Sequence, residues 1–152
     1  MRWLEVFVAA ALLSGAAFAE SASDVLEAFG FTGTWARSCA VPPNPSVSWQ
    51  TVFRDAYGQL RVQINRGSQL PSLTYAVEAA RILDATRLEM TNRNDDPNWG
   101  ADNGRVFHVV LQKENGRLRT LESKAGDGTE LARDGVNLAS GQPTAWLVKC
   151  RD

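Results

Sequence analysis

Histidine occurs once in this chain, cysteine twice, and neither sign of charge is in excess, with 16 lysines and arginines against 17 aspartates and glutamates. Each scarcity excludes a chemistry. One histidine, with both cysteines expected to be oxidised, leaves only carboxylates to hold zinc, so no metal is expected. The same oxidation removes a Cys–His nucleophile, and no Gly-x-Ser-x-Gly elbow is present for a serine hydrolase. A formal net charge of -1, with acids and bases mixed along the chain, offers no basic stripe to a nucleic acid. Beyond the N-terminus no apolar run approaches the roughly 20 residues that span a bilayer, and there is no repeat or low-complexity segment. No catalytic or cofactor-binding residue is assigned, and the chain reads as non-enzymatic. What is present is a hydrophobic content of 44%, ordinary for one soluble domain.

The first 19 residues have the three parts of a secretory signal. Arg2 supplies a positive start, Val6 to Leu13 a short apolar run, and Ala17-Phe18-Ala19 the small residues that a signal peptidase inspects. Cleavage near Ala19 would leave residues 20–152 as one domain in a bacterial periplasm or outside the cell. In that oxidising setting Cys39 and Cys150 are expected to pair.

Ser23 or Asp24 can cap a short helix over Val25 to Phe29, with Gly30 suited to ending it. Gly33 to Cys39 then reads as a strand. Pro42, Pro43 and Pro45 interrupt it before a second strand over Ser46 to Arg54. In that strand Val47, Trp49, Thr51 and Phe53 share one face, and the other is mostly polar. Leu60, Val62 and Ile64 alternate with polar residues in the cleanest period-two run of the chain. Leu73 to Leu83 fits either a strand or a helical stripe, and the short connections to neighbouring strands favour strand. Arg87 to Thr91 is a further strand, and Asn92 to Gly104 a long polar loop. Arg105 to Lys113 and Arg117 to Ser123 form a hairpin across Asn115-Gly116, a dipeptide that tolerates the positive φ angles of a type I′ turn. Glu130 to Ala132, a turn at Asp134-Gly135, and Thr144 to Cys150 complete the series.

Short strands, tight turns and no long helix after the first predict a mainly β domain: a single antiparallel up-and-down β-barrel of about eight strands with a short N-terminal helix. A Cys39–Cys150 bond requires Cα atoms within about 7 Å, which makes the first and last strands neighbours. Counted at period two from the cysteines, Trp35, Arg37 and Trp146 then fall on one side of the sheet.

Gly33-Thr34-Trp35, preceded by a short helix, resembles the GxW signature that opens lipocalins and related calycin barrels. The resemblance implies a helix plugging one barrel end, a tryptophan (Trp35) packed at the base, and an arginine near the end of the last strand (Arg151) lying across it. The run Gly33-Thr34-Trp35-Ala36 to Cys39, with Pro143-Thr144-Ala145-Trp146 to Cys150, is also similar to small exported bacterial proteins of unknown function.

Two kinds of binding follow as expectations. A carrier would hold a small apolar or anionic ligand in the barrel, with Trp35, Arg37, Trp49, Phe53 and Trp146 as the candidate lining. Arg37 on an inward face would need an anionic partner, supplied by the ligand or by an internal carboxylate. An accessory protein would instead have a filled interior and bind another exported protein through loops such as Asn92 to Gly104. That loop is rich in Asn and Asp, which suits turns more than the spacing of a calcium loop. His108, mid-strand, has no local partner for acid–base work, and Arg117 and Arg119 read as a solvated strand face. Oligomeric state is not legible.

Overall fold

Ser21 lies in extended backbone and its hydroxyl accepts from the amide of Asp24, satisfying one of the free N–H groups that open α1 (Ala22–Phe29). The helix thus starts before the Ser23 or Asp24 cap read from the sequence. Gly30, at φ 83°, closes it in the left-handed conformation that glycine takes without strain. This computed structural model describes residues 20–152, and the export signal expected over residues 1–19 lies outside them.

Ten strands follow: β1 (Gly33–Ala36), β2 (Trp49–Arg54), β3 (Leu60–Asn65), β4 (Leu73–Asp84), β5 (Arg87–Asn94), β6 (Val106–Glu114), β7 (Arg117–Ala125), β8 (Glu130–Arg133), β9 (Val136–Asn137) and β10 (Leu147–Arg151). From β1 to β7 each strand pairs antiparallel with the next. β10 pairs with both β1 and β7, so eight strands close into a barrel, while β8 and β9 continue as a hairpin from β7. The segment that fitted either periodicity is strand, with register shifts in its pairing to β5. At the β6–β7 turn Asn115 and Gly116 both have positive φ, 50° and 73°, and Asp134-Gly135 repeats the pattern between β8 and β9 at 51° and 72°.

The core is the inner wall. Val52, Val62, Val77, Leu88, Met90, Leu111 and Leu118 alternate inward from their strands. Val25, Leu26 and Phe29 of α1 join that cluster with Trp35 and close one end of the barrel. Lys113 fastens the helix there, donating to the carbonyl of Phe29 at 2.8 Å with its ammonium 4.4 Å from the Phe29 ring centroid. Full burial of each such aliphatic side chain stabilises the fold by about 1.5–3 kcal/mol.

Cys39 and Cys150 are bonded, with Cα atoms 5.3 Å apart across 111 residues. The inference that Trp35 and Trp146 therefore share a face is overturned. β1 ends at Ala36 and Arg37 to Cys39 follow a bend, so counting at period two from Cys39 back to Trp35 is not valid. The strand pairing sets Trp35 opposite Lys149, and Ala36 opposite Val148. Trp146 consequently belongs to the outer face, next to inward Leu147, which pairs with Leu118.

Candidate functional site

The barrel's interior is not filled. A cavity of about 360 Å³ lies between the floor, where Phe31 and Leu111 sit, and the end formed by the β5–β6 connection. That volume is within the range of small-molecule pockets, about 300–1,000 Å³. Met90, Phe107, Val109 and Leu111 make one apolar side from β5 and β6, and Tyr75 of β4 stands next to them.

Polar groups enter at definite places. Period-two alternation along β5 carries the inward series Leu88, Met90 on through Asn92 and Asn94, both of which line the cavity. Asn92 is only 4% exposed, and its Oδ1 is the one buried side-chain polar atom among the described residues without a hydrogen-bond partner. Gln50, Thr120 and Ser123 add uncharged polar atoms from β2 and β7. Burial pushes the Tyr75 phenol well above its ordinary value, so this group stays neutral.

The β5–β6 connection folds onto the barrel. Residues Pro97–Asp102 form a 3-10 turn whose entry is capped by Asp96, accepting from the amide of Asn98 at 2.8 Å. Trp99 donates its indole N–H to the carbonyl of Thr74 at 2.7 Å, and its ring centroid lies 6.5 Å from that of Tyr75. Asp102 and Arg105 also line the cavity. Arg105 donates to Asp102 at 2.9 Å and to Asp127 at 3.1 Å, which holds its guanidinium charged and pulls the Asp127 carboxyl below its usual range, the backbone amide of Thr129 contributing most there. Asp95 pairs with Arg61, which also bonds Asp55. The acidic residues of this loop are thus engaged in capping and ion pairs.

The expected lining is dispersed. Trp35 is buried in the floor, donating its indole N–H to the Thr32 carbonyl at 3.0 Å, with Phe31 beside it. Arg37 lies past the end of β1 and is exposed, outside the cavity. Trp49 and Phe53 alternate as read, but onto the outer wall, because Val52 pairs with core Val62 and Gln50 with Ile64. Trp49 there donates to the Val41 carbonyl and lies under Arg151, whose guanidinium is 5.6 Å from the ring centroid. Arg151 therefore covers Trp49, not Trp35: the irregularity in the β1–β10 pairing, which leaves Cys150 of β10 without a partner residue, sets Arg151 opposite Thr34, on the other face. Trp146 lies under Arg117 and Arg119, at 5.0 and 4.6 Å, on the outer surface. His108 is also outside, with Nδ1 3.2 Å from the Thr91 hydroxyl.

The residues that do line the cavity were missed for identifiable reasons. Asn92 and Asn94 read as the start of a loop because asparagine favours turns, yet the alternation from Leu88 and Met90 continued through them. Trp99 had a signal of its own, a large aromatic in an otherwise polar stretch, which is unusual unless the ring is covered. Among the described residues no group of three or more His, Cys, Asp or Glu side chains is arranged to hold a metal ion, and no helix is long and apolar enough to cross a membrane. Comparison with protein-family models, with curated proteins and with solved structures returns no match to this chain.

Proposed function

We propose that the protein is an exported, non-enzymatic binding protein that holds one small, mainly apolar ligand inside a lipocalin-like barrel. The observation that carries this reading is the apolar cavity with a few converging polar groups, the arrangement by which small-molecule sites are recognised. The disulfide supports an oxidising destination, periplasmic or extracellular. An anionic ligand loses its main support, since Arg37 is exposed and outside the cavity. The accessory-protein alternative expects a filled interior, and the cavity weighs against it.

Native mass spectrometry of the protein purified from its own host tests the reading. The carrier gives a non-covalent adduct of small-molecule mass, one per chain, lost on denaturation. Recovery of an adduct-free chain in stoichiometric complex with another protein would favour the accessory role instead.

A further inference from the structure

Five arginines among the described residues are half-buried, and three of them are met by oxygen acceptors. Arg61 pairs with Asp55 and Asp95, Arg105 with Asp102 and Asp127, and Arg66 donates twice to the Pro71 carbonyl. Arg117 and Arg119 are the exceptions. Among the described residues neither has a carboxylate within ion-pair distance, although Glu114 stands opposite Arg117 across the hairpin. Alternation sets both on the outer side of β7, with core Leu118 between them. What holds them is uncharged. Their guanidiniums lie 5.0 and 4.6 Å from the centroid of one ring, Trp146, and Arg119 donates from Nε to Gln112 Oε1 at 2.8 Å. Gly135, buried at the β8–β9 turn, packs so closely on Arg119 that an added methyl group would meet its central guanidinium carbon at 2.7 Å. The segment carrying Trp146 is itself fastened: Thr144 donates from its hydroxyl to the Thr120 carbonyl at 2.6 Å and from its amide to the Gly135 carbonyl at 2.8 Å.

We infer that Arg117 and Arg119, converging on Trp146, form a surface site for a tetrahedral oxyanion of the phosphate class, separate from the cavity and independent of the carrier reading. The ring face attracts both cations but supplies no counter-charge, and removing two like charges partly from water without one is costly. A phosphate group carries about −1.5 to −2 at neutral pH, which matches two guanidiniums. Its oxygens are not confined to one plane, so they can accept from two guanidinium forks, where a carboxylate presents a single planar edge. Trp146, Gln112 and Gly135 hold Arg119 in place beforehand, so little side-chain freedom is lost on binding.

Titration of the purified chain with inorganic phosphate and with acetate, followed by the NMR signals of the arginine Nε–H groups, tests this at low salt and pH 7.5. Phosphate should shift the Arg117 and Arg119 signals together and saturate at one per chain, with acetate weaker by about tenfold or more, the effect of losing charge-assisted hydrogen bonds. Arg117→Gln and Arg119→Gln should each weaken phosphate by a similar factor. Arg151→Gln removes a guanidinium that lies alone over Trp49, and should leave phosphate affinity unchanged. Vesicles of phosphatidylcholine containing phosphatidic acid separate two sources of the same chemistry. Co-sedimentation that free phosphate competes away assigns the site to a lipid headgroup; phosphate binding without co-sedimentation assigns it to a soluble phosphate. Acetate binding as tightly as phosphate, equal losses in all three variants, or no saturable shift of Arg117 and Arg119 would each overturn the inference and leave the carrier reading untouched. The wild-type titration decides alone, so a variant that does not fold leaves the test intact.

Discussion

A methyl group added at Gly33 would stand 2.4 Å from the carbonyl oxygen of Arg151, on a backbone at φ 82° that L side chains rarely adopt. The glycine of the Gly-Thr-Trp run thus has a physical reason: it lets β10 approach β1 closely enough to shut the barrel. Gly33→Ala is expected to destabilise the domain by at least about 1–3 kcal/mol from the backbone strain alone, with the clash adding to it. Chemical denaturation reads this directly, and an unchanged midpoint would refute it. Asp84 carries a second residue-scale expectation. The amide of Thr86, Arg87 and the Thr86 hydroxyl hold its carboxyl down to about 2. A depressed carboxyl adds stability that is present above its unfolded value, near 3.8, and is lost as pH falls through about 2. Asp84→Asn should therefore lower Tm at pH 7, and the difference from the wild type should close between about pH 4 and 2. A gap that persists at pH 2 would mean that the loss comes from something other than this charge.

At the scale of elements, the β5–β6 connection is held to the barrel by Trp99, through one hydrogen bond to Thr74 and the contact with Tyr75. Trp99→Ala removes both and opens the cavity's end. Hydrogen exchange of residues 95–104 should accelerate, and affinity for any cavity-bound probe should fall severalfold, with little change in the exchange of β2 and β3. If the loop amides keep their wild-type protection, Trp99 is not the clasp. The legibility of elements varied with how local their signals are. The β6–β7 hairpin was readable because Asn115-Gly116 specifies its own turn, and β3 because Leu60, Val62 and Ile64 leave no doubt about the face. β5 was cut short at Thr91, since the turn preference of Asn92 and Asn94 obscured an alternation that only the pairing with β6 reveals.

Over the whole molecule, closure has two independent fastenings. β10 is hydrogen-bonded to β1 and to β7, and the Cys39–Cys150 bond ties the same region covalently. In the chain-entropy account a bond closing about 100 residues stabilises by up to about 4.7 kcal/mol, acting mainly on the unfolded chain. The Cys39→Ala/Cys150→Ala double variant is thus expected to keep the barrel's circular dichroism spectrum and a lowered Tm. Loss of the β signal at 25 °C in that variant would show that strand pairing alone does not hold the closure. α1 packs into the core cluster at the floor, and the cavity lies toward the other end, where Trp99 and Arg105 line it.

The sequence by itself placed every strand but the two-residue β9, though not all the strand ends, together with the two tight hairpin turns, the covalent pair and hence an antiparallel barrel whose ends meet. These follow from signals that span a few residues, or from the scarcity of cysteine. Only the tertiary structure decided which wall each side chain faces. A shift of one residue in register turns a strand's whole set of side chains over, and register between β1 and β10 is fixed by contacts more than 100 residues apart. That is why Trp49, Phe53 and Trp146 are found outside, and why two asparagines and a loop tryptophan, unremarked in the chain, line the cavity.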